Sequence, residues 1–224
     1  MSHPDLSAPR NPDFDANAIA EHVIKQIGPI TNVFYEVHPD IVQIDLLVVG
    51  PHEGRPYATI ITCGMSERPM RVPIEDPDDL GRVPELRFAE LLLCLPPDWP
   101  LSAEAFQQEE NYWPVRWLKR LARLPHQHDG WLGVGHTIPN GDPARPFAAN
   151  SQFCCWMIDQ PILFPKEVQK LRVSDRATNL YSAVPLYEDE MQFKLRKGGA
   201  ALAQLLDRGK VTELIDPSRA VCGL

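Results

Sequence analysis

The chain has 224 residues, of which 44% are apolar and 23% are charged, and its formal net charge is −8 at pH 7. This composition is typical of a globular protein with a real core, and the length suits one large domain or two very small ones. The acidic balance argues against nucleic acid or an anionic membrane as the main partner, and no stretch approaches the roughly 18 apolar residues of a membrane helix.

The cysteines and the N-terminal residues indicate the cellular compartment of the protein. Five cysteines, an odd number, stand at 63, 94, 154, 155 and 222. The opening MSHPDLSAPRNPDFD has neither the basic nor the apolar region of a signal peptide. We therefore predict reduced thiols, packed in the core, and a cytoplasmic protein. Residues 1–12 are polar and proline-bearing and predict a flexible lead-in, with a single domain over 13–224.

The first half of the chain predicts a helix followed by strands. Apolar residues at helical spacing predict a helix that is capped by Asp15 and stopped by Gly28. Strands rich in β-branched and aromatic residues are predicted over 31–37, 41–49 and 57–63. Turn-forming links between them favour an antiparallel meander. Residues 87–95 predict a further strand, apolar enough to be central, after an acidic, proline-rich loop.

The second half alternates helices and strands. Pro114 fits the first turn of a helix that runs to about Leu124. Strands are predicted over 151–158 and 178–187, then helix from about 188 to 206 with a glycine pair at 198–199 that can divide it. The whole order predicts an α+β fold with a single central sheet, mostly antiparallel or mixed, flanked by helices.

The stretch LPHQHDGWLGVGHTIPNG, residues 124–141, is the first candidate site. His126, His128, Asp129 and His136 are potential metal ligands or catalytic groups, but their spacing matches no established zinc pattern. The alternative is a structured turn in which these side chains bond to the main chain. Gly133-Val134-Gly135 begins a dinucleotide fingerprint whose last position is Ile138, so the fingerprint fails.

A second candidate is CGMSERPM, residues 63–70, which follows a predicted strand. A hydrolase elbow needs G-x-S-x-G, and here Ser66 is followed by Glu67 and Arg68, so the second glycine is missing. Cys63 would serve as a nucleophile only with a base beside it. A turn is the favoured interpretation. We predict no catalytic residue, no metal and no cofactor.

The third candidate is a basic stripe beside several tryptophans. Arg116, Lys119, Arg120 and Arg123 recur at helical spacing, and four of the five tryptophans, Trp99, Trp113, Trp117 and Trp131, lie within the same part of the chain. Such a stripe is usually a solvated helix face, and the tryptophans are then core. Exposed tryptophans beside the arginines would instead indicate a protein-interaction surface.

Several segments together resemble the bacterial suppressor-of-fused (SUFU-like) family. They are TCGMSERPM, ELLLCLPPDWPL, WPVRWLKRLARLPHQHDGWLGVGHTIPNG, NLYSAVPLYEDEMQFKLRKG and TELIDPSR, in that order, between about residues 30 and 222. The resemblance implies an α/β sandwich without established enzymatic activity. In the animal member such a domain, with a second C-terminal domain, binds a transcription-factor peptide. An aspartate of that member, which helps to read the peptide, is replaced here by Gly135.

The resemblance and the residues together favour a non-enzymatic protein-binding module. For bacterial members the resemblance implies an immunity-type inhibitor of a toxin, and the acidic balance of this chain suits a basic toxin. A regulatory adaptor is the other form of such a module. The residues we expect to form the recognition surface and its scaffold are Trp113, Arg116, Trp117, Arg120, Trp131, His136 and Asn140. The alternatives are a metal-dependent or hydrolytic enzyme that uses His126, His128, Asp129 and His136, and a small-ligand sensor whose pocket is the Gly/His loop.

Overall fold

The structure is a computed structural model that describes residues 14–37, 41–74, 81–173 and 176–223. Eight strands of these residues form one mixed sheet in the order β1-β2-β3-β4-β8-β6-β5, with β7 also paired to β8. The strands are β1 (Ile30–Phe34), β2 (Asp45–Val49), β3 (Ala58–Cys63), β4 (Ala89–Leu95), β5 (Thr137–Pro139), β6 (Cys155–Asp159), β7 (Lys170–Val173) and β8 (Arg176–Leu186). The helices are α1 (Ala16–Gln26), α2 (Val83–Leu86), α3 (Glu109–Gln127), α4 (Glu188–Lys197) and α5 (Gly199–Arg208). The predicted α+β class is confirmed.

The first three strands form the predicted antiparallel meander and β4 continues it, because each of these four strands pairs antiparallel with the next. β4 then pairs parallel with β8, which lies beyond it in the sheet. β4 is therefore central, as its apolar sequence predicts, and each of its seven residues is buried. The predicted lead-in over 1–12 and the predicted turn at 38–40 lie outside the described residues.

The two faces of the sheet are covered by different helices. Alternate residues of the central strands, such as Leu91 and Leu93, pack with Trp113 and Leu118 of α3 on one face. The residues between them, such as Leu92, pack with α1 on the other face. α4 and α5 also cover that second face, over β6 and β8. Strands buried on both sides carry continuous apolar runs, which is why the sequence of β4 does not alternate.

The first helix begins and ends where the sequence predicts. The Asp15 carboxylate accepts a hydrogen bond of 2.9 Å from the Ala18 N–H, so Asp15 is the N-cap. The chain turns at Gly28, whose φ of 147° is favourable for glycine and strained for other residues. The predicted divided helix near the end of the chain is also confirmed, since α4 ends and α5 begins around Gly198.

The prediction that Pro114 starts α3 is wrong, and so is the predicted end near Leu124. The helix begins at Glu109 and ends at Gln127, so Pro114 and Pro125 lie inside it. A proline within a helix leaves the carbonyl four residues earlier without its usual N–H donor. For Pro114 that carbonyl belongs to Glu110, and the Asn150 side-chain amide donates to it at 3.2 Å. This distant side chain explains how the helix tolerates Pro114.

Candidate protein-interaction surface

The histidine-rich stretch divides into a helix end and a loop. His126 lies in the last turn of α3, and the chain leaves the helix through Asp129, which has a positive φ of 49°. The Gly130 N–H donates to the Pro125 carbonyl at 2.8 Å and closes this turn. The carboxylate of Asp129 forms an exposed ion pair with Arg71. The loop that follows, residues 131–141, contains β5 and is the main candidate surface.

Three of the four potential ligands of this stretch serve separate contacts, and the fourth is exposed. The Nε2 atom of His126 donates to the Met65 carbonyl at 2.9 Å, far from the loop in sequence. Burial lowers the pKa of His126, and nearby Arg68 lowers it further. Asp129 pairs with Arg71, and His128 is exposed. In the part of the chain that the structure describes, no three His, Cys, Asp or Glu side chains are grouped to hold a metal ion.

Trp131 and His136 form the first half of the loop. The two rings meet edge to face, with their centroids 4.4 Å apart, and both residues are half-buried. Gly133 leaves room for the indole, because a Cβ at this position would lie 2.4 Å from the Cζ3 atom of Trp131. Burial lowers the pKa of His136, and the positive charge of Lys194 lowers it further. His136 is therefore neutral near pH 7.

A lysine on α4 holds the loop in place. The Nζ atom of Lys194 donates to the Gly135 carbonyl at 2.7 Å and to the Thr137 Oγ1 atom at 2.8 Å. On its other side the loop joins β6, because the Gly135 N–H donates to the Ile158 carbonyl and the Ile158 N–H to the His136 carbonyl. Two elements therefore fix the conformation of residues 135–137.

Asn140 shapes the second half of the loop. Its side-chain amide donates to the carbonyls of Arg145 and Pro146, each at 2.9 Å. Its main-chain N–H donates to the Cys154 carbonyl at 2.8 Å, next to β6. Asn140 thus closes the turn of residues 140–146, which contains a cis peptide bond before Pro143. The side-chain amide and the main-chain N–H of Asn140 thus both donate to carbonyls of this chain, so Asn140 holds the shape of the loop.

The structure corrects the expectation that Trp113 and Trp117 offer their side chains to a partner. Trp113 is 0% exposed and Trp117 is 5% exposed. Both contact Phe147, with ring centroids 5.4 Å and 4.8 Å from it, and Trp113 also meets Trp156 at 5.8 Å. This aromatic cluster fills the space between α3 and the sheet. The two tryptophans therefore stabilise the packing of α3 on the sheet, because burial of large aromatic rings stabilises a core.

The basic stripe of α3 is for the most part paired within the protein. Arg123 forms an ion pair with Glu36, and the Lys119 Nζ atom lies 3.9 Å from the same carboxylate. Arg116 pairs with Glu109. Arg120 differs, because it is exposed and its guanidinium lies over the Trp117 ring at 4.5 Å from the centroid. Within the described residues no carboxylate forms an ion pair with Arg120.

The candidate nucleophiles of residues 63–70 are enclosed. Cys63 and Ser66 are each 0% exposed. The Ser66 hydroxyl donates to the buried carboxylate of Glu90 at 2.7 Å, and the N–H groups of Gly64, Met65 and Ser66 donate to it as well. Gly64 is required here, because a Cβ would lie 1.9 Å from the Gln43 carbonyl oxygen. The favoured interpretation as a turn agrees with this geometry.

All five cysteines are free and buried, as expected of core thiols. Burial raises the pKa of Cys154 to about 11 and that of Cys155 to about 12. A thiol with a raised pKa carries little thiolate near pH 7 and is a poor nucleophile. Neither residue is therefore suited to covalent chemistry at this site.

Sequence reasoning missed two buried glutamates that join distant segments. Glu190 of α4 accepts two hydrogen bonds of 2.7 Å from Arg219, and Arg219 also lies against the rings of Tyr187 and Phe153. Glu213 accepts hydrogen bonds of 3.0 Å from the N–H groups of Ile162 and Leu163. Nothing local in the sequence marks these pairs, because their partners are far along the chain.

It also missed two exposed apolar side chains, one in the loop and one on α4. Val134 is 48% exposed and precedes Gly135, whose carbonyl accepts from Lys194, and Leu195 is 70% exposed and follows Lys194. Leu195 stands among charged residues in EDEMQFKLRK, which is the one sequence signal that marks it. An apolar side chain on an otherwise polar helix face indicates either a core position or a contact surface.

The fold is similar to that of three solved structures of suppressor of fused proteins. A SUFU homologue from Neisseria gonorrhoeae has a TM-score of 0.62 and 15% identity, with 92% of this chain and 96% of that chain covered. A chain of the Sufu–Fu complex has a TM-score of 0.63 and 16% identity, with coverages of 93% and 91%. Drosophila Suppressor of Fused has a TM-score of 0.60 and 14% identity, and this chain covers 53% of it.

The sequence match agrees with the fold. The family model for Suppressor of fused protein (SUFU) matches residues 40–220, which is most of the chain. The chain therefore belongs to the suppressor of fused family, and the resemblance seen in its motifs is confirmed. No curated protein matches it. None of the helices that the structure describes has both the length and the apolar character needed to span a membrane.

Proposed function

We propose that residues 13–224 act as one protein-binding module and that the 131–141 loop with the neighbouring part of α3 is its recognition surface. The observation that carries the proposal is the way in which the loop is held. The side chains of Lys194 and Asn140 donate hydrogen bonds to main-chain carbonyls, and these bonds fix the shape of the loop. A fixed surface loses little entropy on binding, which favours recognition.

The contact residues in this proposal are Arg120, Trp131 and His136, with Arg116 at the edge. Trp131 and His136 are half-buried and their rings meet edge to face, while Arg120 is exposed and lies over the indole of Trp117. Aromatic and arginine side chains of this kind dominate the binding energy of protein interfaces. Trp113, Trp117 and Asn140 support these residues. The solved complex of Sufu with Fu supports the proposal, because a member of the family there binds another protein.

We extend the proposal to an immunity-type inhibitor of a toxin that acts in the cytoplasm, with a regulatory adaptor as the other form of the same module. The support is the net charge of −8, since an acidic inhibitor meets a basic toxin faster and in a preferred orientation. The five buried thiols suit a reducing compartment.

The enzymatic alternative has less support. His126, Asp129 and His136 serve contacts with Met65, Arg71 and Trp131, and Ser66 is enclosed with Glu90. Elemental analysis of the purified protein tests the metal version. A stoichiometric metal, together with lower thermal stability after chelation, would favour the alternative over the binding module.

The module itself is tested by isolating the partner. The tagged chain is cross-linked in its host, bound proteins are identified, and their affinity is measured by calorimetry with wild type, Arg120→Ala and His136→Ala. We expect both substitutions to weaken binding, and Arg208→Ala, at the exposed end of α5, to leave it unchanged. No direct protein partner, and no growth rescue of cells that express a toxin from an adjacent gene, would contradict the proposal.

A further inference from the structure

The segment 209–223, which follows α5, folds back on itself around a cavity. Its end returns to its start, because a Cβ on Gly209 would lie only 2.6 Å from the Sγ atom of Cys222. Its middle is fixed to the sheet, because the Cys94 N–H of β4 donates to the Glu213 carbonyl. The cavity has a volume of about 400 Å³, and every residue that lines it belongs to this segment. This volume is within the range of small-ligand sites, and we call it the α5 cavity.

Lys210, which lines the cavity, stands at a position that glycine usually occupies. α5 ends in a Schellman motif, in which the Val211 N–H donates to the Leu206 carbonyl at 2.9 Å and the Lys210 N–H to the Asp207 carbonyl at 3.0 Å. The motif places Lys210 at a φ of 52°, where a residue with a Cβ is strained. The neighbouring Gly209 does not relieve this strain, since its own φ is −77°. A lysine here lowers stability relative to glycine, which indicates that its side chain serves another purpose.

The cavity offers two hydrogen-bond donors and apolar walls. In the described part of the chain, the exposed ammonium of Lys210 has neither an ion pair nor a side-chain hydrogen bond. The Thr212 Oγ1 atom accepts from the Leu214 N–H at 3.1 Å, and its own proton meets no acceptor among the same residues. Val211, Leu214 and Val221 supply the apolar walls. This combination suits a ligand that carries an anionic group on an apolar body.

An acidic residue on the wall limits the charge of such a ligand. Asp216 lines the cavity and is exposed, and its Oδ1 atom accepts from the N–H and the hydroxyl of Ser218. These hydrogen bonds lower the pKa of Asp216, so its carboxylate is charged near pH 7. Arg219, the other cation of the lining, does not offset this charge because it pairs with Glu190. A ligand with a second carboxylate would therefore meet a like charge.

We propose that the α5 cavity binds a small monocarboxylate with an apolar body. The carboxylate would pair with Lys210 and accept from the Thr212 hydroxyl, and the apolar body would lie against Leu214 and Val221. Hydrogen bonds between charged groups are stronger than neutral ones, and burial of the apolar body adds affinity. The cavity shares no residue with the 131–141 loop, so the proposed function does not depend on this site.

Three ligands of equal length test the proposal. They are octanoate, its neutral analogue octanamide, and octanedioate, which has a second carboxylate at the far end. Each is titrated into the isotope-labelled full chain, and the shifts of the amide NMR signals give both the site and the dissociation constant. We expect octanoate to shift the amides of residues 209–223. It should bind about tenfold more tightly than octanamide or octanedioate, because only octanoate combines one charge with an apolar end.

Lys210→Gly separates binding from stability. We expect this variant to bind octanoate about tenfold more weakly. We also expect its melting temperature to rise by about 2–4 °C, because glycine adopts a positive φ without strain. The matched control is Lys197→Gly, at the exposed end of α4 and outside the lining. It should keep the octanoate affinity within about twofold and melt at a lower temperature, because glycine is unfavourable in a helix.

Asp216→Asn tests the limit on charge. The asparagine side chain keeps an oxygen that can accept from Ser218, so the turn is preserved. We expect octanedioate to bind this variant as tightly as octanoate does, because the like charge has been removed. A variant that still discriminates against octanedioate as strongly as wild type would contradict the role of Asp216.

Three further results would overturn the inference: octanoate shifts no amide of residues 209–223, octanamide binds as tightly as octanoate, or Lys210→Gly keeps the wild-type affinity. A fall in the melting temperature of Lys210→Gly would show instead that the lysine stabilises the fold. None of these outcomes bears on a protein partner whose affinity depends on Arg120 and His136, so the two proposals fail separately.

Discussion

α3 and α4 both carry basic side chains, but the two helices use them differently. On α3, Lys119 and Arg123 converge on Glu36, and Arg116 pairs with Glu109. On α4, Lys194 binds a carbonyl and a hydroxyl of the loop, and Lys197 has no ion pair with the described residues. A row of basic residues in a sequence therefore does not locate a basic surface. Whether such a row is free at the surface depends on the carboxylates that pair with it, and Glu36 is more than 80 positions away from Lys119 and Arg123 in the sequence.

The largest effect is expected when α4 loses its anchor. Glu190→Ala leaves the Arg219 guanidinium, which is 12% exposed, without its carboxylate and frees the N–H groups of Tyr187 and Cys222. Breaking a buried ion pair from one side costs about 3–5 kcal/mol. Urea unfolding measures the loss. Glu188→Ala, an exposed residue of the same first turn, should cost less than about 1 kcal/mol. Equal losses for the two variants would contradict an anchoring role.

The same pair makes a prediction about acid. Burial alone would raise the pKa of Glu190, but the hydrogen bonds from Arg219 and from the main chain bring it below the ordinary 4.5. A carboxyl with a lowered folded-state pKa stabilises the protein above the unfolded-state pKa and loses this contribution as the pH falls below it. We therefore expect unfolding titrations below pH 4.5 to show a smaller difference between wild type and Glu190→Gln than at pH 7.

The second effect breaks the pairing on α3. Glu36→Ala leaves Arg123 and Lys119, with side chains 12% and 15% exposed, without their shared carboxylate. We expect a loss of about 1–3 kcal/mol in the free energy of unfolding, because both cations are largely buried. Glu109→Ala removes the carboxylate of the more exposed pair with Arg116 and should cost at most about 1 kcal/mol. If Glu109→Ala costs more, the contrast within α3 is wrong.

A smaller effect concerns two histidines: His126 in the last turn of α3, and His136 in the loop that Lys194 of α4 contacts. The pKa values of His126 and His136 are both lowered, first by burial, so the unfolded chain binds protons that the folded protein excludes. Stability should therefore fall as the pH drops from 7 through the ordinary value of 6.5. Lys194→Met should raise the pKa of His136, measured by NMR titration, because it removes a nearby charge. His126 provides the internal control, since Lys194 is not among the charges that shift it, and an unchanged His136 would argue against the loop contact.

The smallest effect on stability is expected for Arg120→Ala. Arg120 is exposed and contributes a cation–π contact with Trp117, so the free energy of unfolding should change by no more than about 0.5–1 kcal/mol. Thermal melting checks this, with Trp131→Ala as the contrast, since that side chain packs against the core and its loss should lower the melting temperature. Unfolding of Arg120→Ala would mean that this part of α3 is structural and would remove it from the proposed surface.

Much of the fold could be predicted from the sequence because its signals are local. Asp15 and Gly28 bound α1, and the apolar runs of the central strands predict a buried sheet. The errors arose where distant side chains intervene. Asn150 compensates for Pro114 inside α3, and no residue near Pro114 indicates this. The short strands β5 and β7 were missed because they are three and four residues long and lack an apolar run.

The candidate site was less accessible to sequence reasoning. The resemblance and the glycines pointed to the 124–141 stretch as a shaped loop, and the structure shows the bonds that shape it. Which aromatic rings lie inside could not be read from the sequence, because the burial of Trp113 and Trp117 depends on Phe147, and for Trp113 also on Trp156, which are distant in the chain. The role of Lys194 depends on how α4 packs against a loop about 60 positions earlier.

The contacts of Glu213 and Arg219 have a consequence for how the chain folds during synthesis. Glu213 is 0% exposed, its side chain holds the 162–163 segment, and its main-chain carbonyl accepts from the Cys94 N–H of the central strand. Contacts of such long sequence separation form slowly, because closing a long loop costs entropy before any contact is gained. On the ribosome, the Cys94 N–H of β4, the 162–163 segment and the Glu190 carboxylate therefore gain these partners only after residues 213–222 have emerged.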